Sequence, residues 1–133
     1  MFRDWLRKKP APLSGASAVR RTKTYSAESG YVYQYVYLGQ RPLTKNAGTE
    51  FVFSVSADRK RWDDVSVQVE EPAVHVWEQS HGRALSATEW YALAKMALFA
   101  AFDERAEPRA MREKPVRLRD ADVAEIMERL GRD

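Results

Sequence analysis

Few side chains in this sequence are equipped for chemistry, and their spacing favours binding over catalysis. The two histidines, His75 and His81, do not stand at the interval of a helical metal pair, and no Asp or Glu cluster joins them. The carboxylate pairs Asp63–Asp64 and Glu70–Glu71 are adjacent residues that read as turn and edge charges. Neighbours on a strand point to opposite faces, so neither pair can flank one bond as acid and base. The chain has no cysteine, which excludes thiolate nucleophiles, disulfides and zinc–thiolate sites. It carries no glycine-rich phosphate loop and no GxSxG elbow. No catalytic residue, metal site or cofactor is therefore assigned, and the chain reads as a binding module rather than an enzyme.

The aromatic residues are more telling. Residues 31–38 read YVYQYVYL, with Tyr31, Tyr33, Tyr35 and Tyr37 at every second position. On a strand that spacing places all four rings on one face. Burying them would require partners for four hydroxyls, whereas burying Val32, Val36 and Leu38 brings in only the amide of Gln34. The aliphatic face is therefore expected inward and the tyrosines outward, exposing about 600 Å² of aromatic surface that wants a cover. Arg20, Arg21 and Lys23 precede this strand and Arg41 follows it, so cations flank the ring row. Two covers fit: another protein surface, or a single-stranded nucleic acid whose bases stack on the rings while the cations hold its backbone.

Charge is distributed unevenly along the chain. Residues 1–23 hold seven Lys and Arg against Asp4 alone, while the whole chain nets +3, so the remainder is mildly acidic. With the PAPLSGASA stretch, residues 1–23 read as a basic arm and linker, and 24–133 as one α+β domain. Phe2, Trp5 and Leu6 would share one side of a short N-terminal helix docked on protein. The leading MFRDWLRKKP lacks the apolar core of a secretory signal. The longest mostly apolar run, Trp90 to Phe102, is too short to span a bilayer and is interrupted by Lys95. A cytoplasmic protein with no membrane partner is expected.

Four strands are expected, at Tyr31–Leu38, Glu50–Ser56, Val65–Glu70 and Ala73–Gln79, from alternating apolar residues and short polar connections. A capping box, Ser86 with Glu89, then opens a helix over about residues 87–105. An extended piece at Lys114–Arg119 and a helix ending at Gly131 follow. The fold class is α+β: a four-stranded antiparallel meander with one long helix across one face (ββββα), plus the short C-terminal strand and helix. That long helix has no polar side. Leu93, Ala94, Ala97, Ala100 and Ala101 fall on one arc, while Tyr91, Leu98, Phe99 and Phe102 fall on the other. The second arc needs a cover, and a second copy of the chain, as a homodimer, is the expected one. A small-ligand pocket between sheet and helix, lined by Trp90, Phe51 and Phe53, is a third possibility for binding.

Overall fold

The computed structural model describes residues 10–132. The basic residues before Pro10, and the Phe2, Trp5 and Leu6 segment, lie outside them. Strands β1 (Lys23–Ser26), β2 (Val32–Pro42), β3 (Gly48–Ser56), β4 (Asp63–Glu70) and β5 (Val116–Leu118) form one sheet in the order β1-β2-β3-β4-β5. The first four run antiparallel and β5 lies parallel to β4. Four helices complete the fold: α1 (Glu71–His81), α2 (Ala87–Glu104), α3 (Pro108–Glu113) and α4 (Asp120–Arg129). The α+β class, the antiparallel meander and the long helix are as expected. No helix among the described residues is long and apolar enough to cross a membrane.

Helix α2 begins where its capping box places it. The Ser86 hydroxyl accepts the Glu89 N–H at 3.2 Å, and the Glu89 carboxylate accepts the Ser86 N–H at 2.9 Å, so two orphan donors are satisfied. The expected C-terminal pieces also appear. Val116 and Leu118 extend the sheet beside β4, and α4 buries Val123, Ile126 and Met127.

The segment expected as a fourth strand, Ala73–Gln79, is instead helix α1. Pro72 occupies the first turn, where a missing N–H costs nothing, and Gly82 stops the helix at a left-handed φ of 67°. Its buried residues, Ala73, Val74 and Trp77, fall at helical spacing, while Val76 and His75 point to solvent. The VHVW alternation mimics a strand, but four residues are too few to separate a period of two from one of 3.6. Strand β1 and helix α3 were not anticipated.

The second correction concerns the tyrosines. Tyr33 and Tyr35 are buried, Tyr37 is half-buried, and Val32 on the opposite face is 49% exposed. The rings point inward, onto α2. Tyr33 stacks on Phe102 with centroids 4.1 Å apart and planes 8° apart, and Tyr37 meets Tyr91 edge-on at 4.8 Å. Tyr25 of β1, cross-strand partner of Tyr33, stacks on Phe99 at 4.2 Å. The aromatic row and the second arc of the helix therefore cover one another. Leu98 and Phe102 are fully buried inside a single chain, and Tyr91 and Phe99 are half-buried against it. Of the four residues expected at a homodimer interface, two are thus buried within one chain and two keep partial exposure.

One of the four hydroxyls finds a side-chain partner, as does that of Tyr25 on the neighbouring strand. Tyr25 donates to Asp103 at 2.7 Å and Tyr37 to Gln40 at 3.2 Å. Only Tyr33 keeps a buried hydroxyl without a partner among the described residues. Phe51 and Phe53, expected to line a pocket with Trp90, have no exposed surface.

Candidate functional site: a cationic cleft at the sheet edge

One edge of β2 is bordered by a single extended stretch that pairs with it twice. Lys23 pairs opposite Tyr35, and Ser14 bridges antiparallel to Gln40. The outer stretch has more residues between those two points than β2 has, so residues 15–22 bow away from the sheet. Close approach at the far end depends on Gly39, which sits at φ 132° beside a register shift. A Cβ there would lie 2.8 Å from the Ser14 carbonyl oxygen.

The bow opens a cleft of about 310 Å³ between Val19, Arg20, Arg21 and Lys23 on one wall and Tyr35, Tyr37 and Tyr91 on the other. Lys23 faces the same way as Tyr35, since cross-strand partners share a face. From α2, Lys95 places its ammonium 6.0 Å from the Tyr35 ring centroid and 5.8 Å from that of Phe99. Burial and the neighbouring Lys23 ammonium both push the Lys95 amine below its ordinary value. Among the described residues, no carboxylate lies within ion-pair distance of Arg20, Arg21, Lys23 or Lys95. Three cations thus line the cleft beside the phenols and a fourth, Lys95, lies over the Tyr35 ring, with no paired anion among the described residues.

Two of the aromatic neighbours hold their protons unusually tightly. Burial pushes the Tyr37 phenol up to about 12, and burial together with the Asp103 carboxylate does the same for Tyr25. Both groups bind their protons more tightly folded than unfolded, so the stability they contribute is complete below about pH 10 and declines as pH rises toward 12. In an ultraviolet titration of phenolate formation, at least two of the six tyrosines should remain protonated at pH 11 in the native protein. In denaturant all six should titrate together near 10.

The other residues picked out in the sequence are divided. Tyr35, Tyr37, Arg20, Arg21 and Lys23 come together in the cleft, joined by Tyr91. Tyr31 and Tyr33 line a separate cavity at the other end of β2. Arg41 lies on the outer face of the sheet, paired to Glu50 at 2.6 Å, and Glu50 also accepts the Ser66 hydroxyl. No family model, curated protein or solved structure matches this chain. The histidines are helix-surface groups. His75 bridges Glu71 and Glu78, and His81 stacks on Trp77 at 4.0 Å.

Lys95 was missed as a site residue. Its signal in the sequence is that it is the one charge within an otherwise apolar helix run, four residues after Tyr91 and hence on the same helix stripe. A cation kept in such a place faces either water or an anion.

Proposed function

We propose that this chain is a non-enzymatic binding module that holds the phosphate backbone of a single-stranded nucleic acid in the cationic cleft. The observation that carries the reading is that Arg20, Arg21 and Lys23 line the cleft beside Tyr35, Tyr37 and Tyr91, with Lys95 next to Lys23 and over the Tyr35 ring, and without a neutralising carboxylate among the described residues. A cleft lined by three positive charges, with a fourth beside it, calls for closely spaced anions, which a phosphodiester chain supplies at every nucleotide. Tyrosine hydroxyls and arginine forks are phosphate ligands that carry no base information, so binding is expected to be insensitive to sequence. The buried ring of Tyr35 cannot offer its face to a base, and recognition rests on the backbone rather than on stacking.

Binding of a fluorescent single-stranded oligonucleotide, followed by anisotropy against salt, tests this. Neutralising four phosphates predicts a log–log slope of about −3, or roughly a 50-fold loss of affinity between about 50 and 200 mM salt. The triple variant Arg20→Ala, Arg21→Ala, Lys23→Ala should flatten the slope by about 2. No binding at low salt, or equal competition by polyglutamate, would end the reading. We infer that the chain needs no second copy, because Leu98 and Phe102 of the helix arc are buried within one chain and Tyr91 and Phe99 half-buried. Light scattering should return one chain's mass.

A further inference from the structure

The two faces of the sheet are covered differently. All four helices send buried apolar residues into the cluster on the Phe51 and Phe53 side, and Val52, which points the opposite way, is not part of it. We propose that the outer face around Val52 is the seat of residues 1–9 of the same chain, docked through Phe2, Trp5 and Leu6. The observation that asks for a cover is Val52 itself. It is only 4% exposed, although its cross-strand partners are Gly39 and Ser66, whose side chains are too small to wall it in. Val32, on the same face at the far end of β2, is 49% exposed. The cover therefore lies over Val52, toward the end where β2 leaves the sheet.

That is also the end at which the described chain starts. Ser14 bridges Gln40, and Leu13, half-buried, stands so near that a Cβ at Gly39 would lie 3.1 Å from the Leu13 Cβ. Pro10 comes only three residues before Leu13, so residues 1–9 set out from beside the strand that holds Val52's partner. Neighbouring strands lie about 4.8 Å apart, which puts β4 about 10 Å from β2. Nine residues span about 13 Å as a helix, enough to cross β2, β3 and β4 over Val52.

The residue types fit that seat. Phe2, Trp5 and Leu6 recur at the spacing that brings side chains to one side of a helical turn. So short a helix is unstable alone and forms only against a surface. Around Val52, the small side chains of Gly39, Ser54 and Ser66 leave a shallow floor on which an aromatic ring can lie. Charge agrees. Residues 1–9 carry Arg3, Arg7, Lys8 and Lys9 against Asp4. The strand positions that share Val52's face carry Glu50, Asp64 and Glu70 against Arg41 and Arg117, so a net positive segment meets a net negative face.

The chain has no cysteine, so Lys8→Cys in the full-length protein accepts a single nitroxide label. Paramagnetic broadening should concentrate on the amides of Leu38, Val52 and Ser66 and spare Val74, Val123 and Met127 on the helical side. Adding Trp5→Ala should abolish that pattern and lower the folding constant about tenfold, the share of one indole's burial. Both substitutions lie outside the core cluster of the domain, so the fold they are read against is retained. Broadening centred on the helices, or spread evenly over the surface, overturns the proposal. So does broadening that passes from a labelled chain to an unlabelled, isotope-enriched one, which would make a second copy the occupant. A Trp5→Ala variant with unchanged broadening and unchanged stability overturns it as well.

Discussion

Phe102→Ala is expected to cost about 3–5 kcal/mol of folding stability and to lower the melting temperature by roughly 10–20 °C. The ring is fully buried at the point where helix and sheet meet. It stacks on Tyr33 and lies within 6.5 Å, centroid to centroid, of Tyr25, Tyr35 and Phe99. Truncation removes the transfer free energy of a benzyl group and leaves a cavity, which rigid aromatic neighbours cannot easily collapse into. The Phe102 carbonyl, which accepts the Ser29 hydroxyl at 2.8 Å, is retained, so the loss reports the ring alone. Denaturant melts at several protein concentrations check both parts of this account. The midpoint should fall with Phe102→Ala and should not depend on concentration in either protein. A concentration-dependent midpoint would mean that a second chain shares the cover.

Glu89→Gln is expected to lose about 2–3 kcal/mol at neutral pH and progressively less as the medium becomes acidic. Glu89 is nearly buried, yet it accepts both arms of the Arg83 guanidinium, at 2.9 and 2.8 Å, as well as the Ser86 N–H at the start of α2. Those donors favour the carboxylate strongly enough to hold its pKa down at about 2, below the ordinary 4.5. The unfolded chain therefore binds a proton on this group at a higher pH than the native chain does. The stabilisation is fully present above about pH 4.5 and disappears as pH falls toward 2. Because Arg83 is 44% exposed, solvent screening trims the effect below what the shift alone would give. Urea melts of both proteins at pH 7 and pH 3 should show the gap narrowing. A gap unchanged by pH would mean that the loss comes from packing.

Both predictions concern α2, whose local signals agree with one another and were legible in the sequence. Ser86, Glu89 and an uninterrupted run of helix formers all point to the same start and length. Strands β3 and β4 were equally plain, because Phe51, Phe53 and Val55 alternate with Val52, Ser54 and Ser56, and Val65, Val67 and Val69 with Ser66, Gln68 and Glu70. Strand β2 was not, since both its faces are apolar and period alone cannot choose between them. The choice falls to tertiary packing. Phe99, Phe102 and Tyr91 present flat aromatic faces, and the tyrosine rings match them where valines would leave gaps. In the sequence the ring row and the helix arc are two separate apolar surpluses, and in the fold they pack on one another. Helix α1 was misread for a different reason: Pro72 serves as a strand breaker and a helix starter alike, and only the burial of Trp77 with Ala73 and Val74 distinguishes them. Of the cleft, Arg20, Arg21, Lys23, Tyr35 and Tyr37 were visible as neighbours in sequence. Lys95 enters from more than fifty residues away, through the packing of α2 onto β2.

Chemical-shift mapping with an unlabelled single-stranded oligonucleotide, at low salt, bears most directly on the cleft as the binding site. Shifts should concentrate in residues 17–23, Tyr35, Tyr37, Tyr91 and Lys95, leaving Val32, Val36 and Ser66 on the outer sheet face unmoved. Perturbations centred on that outer face, or absent altogether at millimolar oligonucleotide, would contradict it.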